Sequence, residues 1–504
     1  MGLPLPLQTS FLGMVQDSSR ELLPGGALWN CVDYIPEYLG SPLRKRGGWA
    51  WGSPALGSET YVDGIAYAPF LSSGEKTLVI GSTGTAYTIT PTTQSSLGAC
   101  FPVAQNPVIH RIGSPTVQAM IIPAASGTTA PKSYDGTTLT NLVGTPPQGI
   151  YAAVWNDRTL LANGSVGGTS YPTRVWFGPV GNAAGTWDTT NSWVDTSIAI
   201  TGLGVLKTAI LCFHRRSTER IKGVIPPTAT AIGDLSMDRA FSVGCIDARS
   251  IVNYNDTLIW ADVRGIYQTD GAALKDLTAT MGVRAYWRSL LANYSSSYTV
   301  AAGVFNNTYL ISVMNGATFV DCLAFDIERG FCYRLSNFGA RCFSQQGVTY
   351  EEVYMGLGAM GRVAALSPIL LPSAGNKNDA DGTPVQPYFE TGLFRGYTRF
   401  HRRWVLSMAL QHWSNIFFTY DLRDAATDTP TLTMSFANDA GESNYTAIAR
   451  NLDATSSVTR IRRDINQHVS GVTFKVQQTG PSSDTRISGL EGEYEPLESS
   501  RLRQ

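Results

Sequence analysis

The chain has 504 residues and a formal net charge of −1. That length holds two or three domains, and so small a charge excludes a polyanion- or membrane-binding field spread over the whole molecule. With 50 glycines, 26 prolines, 10% aromatic and only 15% charged residues, the composition is turn-rich and β-leaning, and long amphipathic helices are scarce.

Residues 1–60 read as an extended N-terminal arm. Leu23-Pro24-Gly25-Gly26 and the prolines near the start forbid long regular elements. The opening residues lack basic side chains ahead of their apolar part, and Pro6 departs from the myristoylation pattern. No run approaches the ~20 apolar residues of a membrane span. A chain made soluble in the cytoplasm is expected. The arm carries Trp29, Tyr34, Trp49 and Trp51, and aromatic side chains of this kind bury themselves on the body or on a neighbouring subunit. Arg44-Lys45-Arg46 closes it.

Residues 61–370 carry short strands between turn signals. Three hairpins share one pattern: Trp155-Asn156-Asp157-Arg158, Tyr254-Asn255-Asp256-Thr257 and Phe305-Asn306-Asn307-Thr308. Asn and Asp tolerate the positive φ of a two-residue hairpin turn. Asn156 and Asn255 are 99 residues apart, and Asn255 and Asn306 are 51 apart. A step of about 50 residues fits one propeller blade. The span then holds about six blades, with a helix at Gly282–Asn293 inserted between two of them. No helix alternates with the strands, which excludes a parallel α/β sheet. Residues 371–386 read as a polar hinge and 387–504 as a C-terminal β-sandwich. The fold class expected is all-β: a propeller of about six blades, then a sandwich, preceded by the arm.

The seven cysteines include no C-x-x-C pair, so buried free thiols in a reducing compartment are expected; Cys322, Cys332 and Cys342 lack a histidine that would make them a metal site. Gly356-Leu357-Gly358-Ala359-Met360-Gly361 matches a dinucleotide fingerprint, but Pro368 blocks the helix that would hold a pyrophosphate, so an interblade turn is expected. Lys377-x-Asp379-x-Asp381-Gly382 resembles part of a calcium loop, yet Lys377 and Tyr388 stand where it needs carboxylates, and a solvated linker is the simpler reading. No nucleophile elbow, phosphate loop or zinc helix is present. No cofactor and no metal are expected. Asp63, Asp157, Asp195 and Asp262 are the carboxylates that a glycan-active propeller would use, although hairpin turns want Asp for reasons of their own. Arginines cluster at Arg395, Arg399, Arg402 and Arg403, and again at Arg460, Arg462 and Arg463. Guanidinium groups there, with Arg44, Lys45 and Arg46, would give sequence-independent phosphate contacts along a DNA channel or salt bridges between subunits.

Three stretches resemble the β-propeller tail proteins of bacteriophages, the tail nozzle and tail-hub family. They are the arm from Leu23-Pro24-Gly25-Gly26 to Leu43-Arg44-Lys45-Arg46-Gly47-Gly48-Trp49, the run from Arg174-Val175-Trp176-Phe177-Gly178 to Arg220-Ile221, and the terminal strands Phe394–Leu410 through Gly489–Leu497. The resemblance implies a structural virion protein without enzymatic activity. Its partners would be further copies of itself in a ring, by resemblance often a hexamer, with neighbouring tail or adaptor proteins and tail fibres or receptor-binding proteins. Genomic DNA would touch it transiently. The arm would reach a neighbour through Trp29, Tyr34, Trp49 and Trp51, so removing residues 1–50 would leave the body folded. A glycan-active or glycan-binding propeller is the alternative; a WD40-type module is disfavoured because Trp187-Asp188 is the sole dipeptide of that kind.

Overall fold

The computed structural model describes residues 3–8, 11–24, 27–36, 42–70, 73–101, 107–113, 119–124, 129–181, 185–223, 235–344, 353–366, 378–391, 393–394, 397–400, 403–406, 411–422, 431–438, 446–451, 459–469, 472–479 and 485–496. Six antiparallel four-stranded units and one three-stranded unit follow one another among these residues: 62–99, 110–141, 151–195, 202–241, 252–276 and 298–334, then 340–365. From blade 2 to blade 7 the first strands of successive units touch in order, that of the seventh touches that of the first, and Arg111 on blade 2's first strand reaches the Tyr67 carbonyl on blade 1's. The sheets therefore close into a seven-bladed β-propeller. Sequence spacing points to about six blades because it assumes a uniform step of fifty. The first strands at His110 and Tyr151 are 41 residues apart, and those at Tyr298 and Ala340 are 42 apart.

The three repeated turns behave as their side chains require. Asn156 and Asp157 have φ of 48° and 55°, Asn255 and Asp256 46° and 59°, and Asn306 and Asn307 47° and 60°. Each joins the first strand of a blade to its second. The expected helix is present as Arg284–Leu290, behind a shorter one at Leu277–Thr280. It lies between blades 5 and 6, with the Trp287 indole donating to the Asp262 carbonyl at 2.9 Å. Gly356–Gly361 forms the turn between two strands of blade 7, Tyr354–Leu357 and Val363–Ala365, and so lies within a blade.

The arm threads both halves of the molecule. Leu28–Val32 lies parallel to Phe331–Arg334 of blade 6 on one side and antiparallel to Tyr388–Thr391 on the other. Blade 6 thereby grows into a nine-stranded sheet that continues through Val472–Thr479, Thr431–Asn438 and Thr446–Asn451. Tyr34–Pro36 and Leu43–Lys45 pair with each other, and Leu43–Lys45 joins a second sheet holding Thr485–Pro496, Gln411–Leu422 and Thr459–Val469. Buried Tyr34, Leu43, Ile487 and Leu490 of that sheet share a core with Phe389, Met434, Phe474 and Val476 of the first, which makes the terminal sandwich. Finally Ala50–Trp51 pairs with Val363–Ala365 and supplies the fourth strand of blade 7.

The arm's aromatic residues consequently serve their own chain. Tyr34 and Trp49 are fully buried in it, which corrects their assignment to contacts between subunits. Trp29 is half-buried under the Arg20 guanidinium. Trp51 is half-buried between Trp49, 5.1 Å away edge to face, and the Arg362 guanidinium. Residues 371–377 lie outside the described residues, but 378–386 do not behave as a hinge. Asp379 is 2% exposed, and the Ala380 amide donates to the Trp49 carbonyl at 2.9 Å. Gly48 admits this contact, since a Cβ there would lie 1.8 Å from the Asn378 carbonyl oxygen.

Removing residues 1–51 therefore deletes the closing strand and the splice to the sandwich together. The truncated chain is expected to lose its cooperative thermal transition. A truncation that melts with the wild-type midpoint would contradict this closure.

Candidate functional site

Two clusters of buried charge organise the molecule. The first surrounds Arg46, whose side chain is fully enclosed. Its Nε donates to Asp33 Oδ1 at 2.7 Å, and Nη1 and Nη2 donate to the two carboxylate oxygens of Asp379 at 2.8 and 3.0 Å. Two carbonyls, Gly47 and Ser336, take the remaining donors at 2.9 Å each, and the plane lies over the Phe338 ring. Five directed donors suit such a cage; a lysine would fill it poorly. Burial works to lower the Arg46 pKa, but Asp33 and Asp379 overcome it and hold the group charged. Asp379 also accepts from the Trp49 amide and the Asn337 side chain. Burial still leaves its pKa above the ordinary carboxylate value, although Arg46 pulls it down. The carboxylates of the calcium-like stretch thus hold an arginine: Asp379 grips Arg46, and Asp381 accepts from Asn337.

The second cluster lies on the propeller axis. The connection from blade 4 to blade 5 makes one 3₁₀ turn, Ala248–Ser250, capped by Asp247. Asp247 accepts from the Arg249 amide and Nε through Oδ1, and from Arg249 Nη2 and the Val300 amide of blade 6 through Oδ2. The Tyr309 hydroxyl holds the Ser250 carbonyl at 2.8 Å. The turn fits because Gly202 leaves room for Ile251, whose Cδ1 would be 2.6 Å from a Cβ there. Across the axis, Asp63 of blade 1 takes the Arg341 Nε of blade 7 at 3.0 Å. Burial raises the Asp63 pKa above its ordinary value, opposed by Arg341 and then by Arg249.

Beside the turn is a cavity of about 290 Å³ between the first strands of blades 2 to 5. His110, Arg111, Tyr151 and Asn253 are its polar lining, and no carboxylate lines it. Burial and the neighbouring Arg111 push His110 down to about 4. Burial, then Asp247, pushes the Tyr151 hydroxyl up to about 12.

The sequence-derived site residues do not converge. Arg46 is sealed inside and offers no phosphate contact. Lys45 is buried and Arg44 half-buried, both on the strand paired with Thr485–Pro496. Arg395 and Arg402 lie outside the described residues; Arg399 and Arg403 face each other's strands across a two-stranded hairpin of which only the backbone is described. Arg460, Arg462 and Arg463 lie on Thr459–Val469, likewise described by backbone alone. The four aspartates are dispersed: Asp63 pairs with Arg341, Asp195 with Arg174, Asp262 with Arg264, and Asp157 occupies its hairpin turn. All seven cysteines are buried and free. The axial residues Asp247 and Arg249 had no sequence signal, because the stretch around them has neither period nor motif.

These features define the class: a seven-bladed β-propeller, plugged on its axis by its own chain and spliced to a β-sandwich. No family model and no curated protein matches the sequence. Among solved structures it is similar to BBS1N in complex with ARL6DN, at 11% identity and TM-score 0.41 over 64% of this chain and 98% of that one. It is also similar to YCF48 bound to D1 peptide, at 10% and 0.38 over 64% and 97%, and to PorZ of Porphyromonas gingivalis, at 11% and 0.39 over 70% and 43%. Likeness at this level concerns the fold alone.

Replacing Arg46 with Met (R46M) keeps bulk but strips two buried carboxylates of their partner, and breaking such a pair costs about 3–5 kcal/mol. Denaturant unfolding at pH 7 should show that loss. The deficit should shrink toward pH 5, since a carboxyl with a raised folded-state pKa stabilises below its unfolded pKa and loses that contribution as pH rises. Equal stability at pH 7 would refute the cage. For His110, a folded pKa near 4 against 6.5 when free means the unfolded chain binds more protons between those values, so stability falls as pH drops through that window. An NMR titration of His110 with a midpoint of 6.5 or above would show that the cavity wall is wet.

Proposed function

We propose that the chain is an architectural subunit, a virion protein of a phage tail that forms a homo-oligomeric ring and seats other tail proteins, without catalytic activity. One observation carries this reading: the propeller axis is corked by the Asp247–Arg249 turn, and the carboxylates beside it are already paired with arginines. Such a disc presents surfaces and edges rather than a pore or an acidic cleft. DNA would pass inside a ring of subunits, outside any single propeller's axis. The splice through Leu28–Val32 supports the same reading, because it makes propeller and sandwich one continuous sheet that can bear load across the boundary. Closed rings arise from heterologous contacts that return on themselves.

A glycan-active or lectin reading would use exposed aromatic faces. Among the described residues the best platform is Tyr171 and Trp193, yet the Arg174 guanidinium already lies 4.2 and 3.5 Å from their ring centres. That arrangement leaves no clear face for a sugar.

Light scattering of the purified full chain at micromolar concentration should give an integral multiple of 54.4 kDa, six by the resemblance. A monomer, both alone and when co-expressed with the products of neighbouring genes, would overturn the ring.

A further inference from the structure

Strand alternation sorts every turn of a propeller onto one of two faces. The turns joining first to second and third to fourth strands share one face. Here they carry exposed Asp135, Asp157, Asp256, Asp270 and Glu328, with Lys207 and half-buried Arg329, which pairs with Asp326, as cations on the same side. Side-chain contacts confirm the grouping: the Tyr254 hydroxyl reaches Asn307 of the next blade, and Asn307 donates to Glu328. Backbone amides, of Thr138 at Asp135 and of Ala273 at Asp270 foremost, hold those two carboxyls below the usual range.

The opposite face carries the second-to-third turns and the connections between blades. Over blades 4 to 6 it presents Arg215, Arg216 and Arg288, all exposed, with Arg264 and Arg284 beside them. The patch is contiguous. Arg288 Nε donates to the Arg264 carbonyl at 3.2 Å, and Arg264 Nη2 donates to the Ser242 carbonyl at 2.9 Å. Gly244 packs on the Arg215 carbonyl. The acids here are spent: Asp262 pairs with Arg264 and Asp276 with Arg284, while Asp17 caps the helix at the Ala285 amide. The arm touches the edge of this quadrant at Gly282 and Ala285, and among the described residues Arg215, Arg216 and Arg288 stay exposed beside it.

We propose that copies of this chain meet through these faces, the arginine patch of one against the acidic turns of the next. A net charge of −1 conceals two opposed surfaces that are complementary to each other, and a contact between different faces of identical subunits is heterologous, closing into a ring where the rotation between copies returns on itself. This inference rests on the ring reading above and supplies its interface.

Sedimentation velocity of the full chain, at about 0.05 M and about 0.5 M salt, tests it, since exposed charges are screened across that range. The wild type should associate at low salt and at least about tenfold more weakly at high salt. R215E/R216E/R288E and D157K/D256K/E328K should each be monomeric alone, and an equimolar mixture should recover association because the reversed faces match. D157N/D256N/E328Q keeps the positive-φ turns and should weaken association without lowering the melting temperature, which separates charge from misfolding. Wild-type assembly untouched by either reversal would overturn this interface and leave the ring standing. A wild type monomeric at both salts would overturn this interface, and one monomeric also when co-expressed with the products of neighbouring genes would overturn the ring as well. Loss of short-duplex DNA binding by R215E/R216E/R288E, with self-association intact, would assign the patch to a polyanion and refute the proposal.

Discussion

The fold depends on one guanidinium. Arg46 joins three segments far apart in sequence: the arm itself through Asp33, the blade 6–7 connection through the Ser336 carbonyl, and residues 378–381 through Asp379. The closing strand shows why this matters. Ala50–Trp51 makes only two register pairs with blade 7, and a backbone hydrogen bond contributes a net of about 1 kcal/mol. So short a strand cannot hold a seven-bladed ring shut. The buried ion cage beside it, worth several times more to break than those bonds, and Trp49 at 1% exposure keep it in place. A pair of buried charges need not stabilise more than apolar packing would. Its value here is directional: only one path of the arm brings Asp33, Arg46 and Asp379 together.

The axial plug follows the same logic on a smaller scale. Asp247 is both the cap of its own turn and the acceptor for the Val300 amide in blade 6. Four inner strands converge on that turn, and glycines at 202 and 204 make the approach possible. At cage and plug the buried carboxylates Asp33, Asp379, Asp247 and Asp63 are taken by arginines.

Much of this architecture was legible in the sequence, because it is local. The positive-φ turns at Asn156, Asn255 and Asn306 are dictated by the residues that occupy them, and their spacing announced blades. The buried thiols and the short helix before Leu291 were likewise visible in composition and pattern. The seventh blade was not, since one of its four strands, Ala50–Trp51, lies far upstream in the arm. Nor was the role of Arg46. A basic triplet in sequence looks like a surface patch, and nothing local reveals that Asp379 returns to meet it. The same holds for Asp379, whose neighbours Asn378, Asp381 and Gly382 suggest solvent. Long-range partners decide burial, and a single sequence does not list them.

One consequence joins local turn chemistry to the molecule's surface. The first-to-second turns at Asn156-Asp157, Asn255-Asp256 and Asn306-Asn307 take positive φ, which Asn, Asp and Gly accept most readily. Third-to-fourth turns here use Asp as well, at Asp135 and Asp270, where the carboxylate accepts amides two and three residues on. Both turn types fall on one face by strand parity alone. The second-to-third turns holding Arg215, Arg216 and Arg264 and the helical connection holding Arg284 and Arg288 take no positive φ at these residues, so arginines can occupy them. The disc's charge polarity is therefore a by-product of hairpin geometry before it is anything else. The clustering of exposed arginines over blades 4 to 6 is the feature that hairpin geometry alone does not account for.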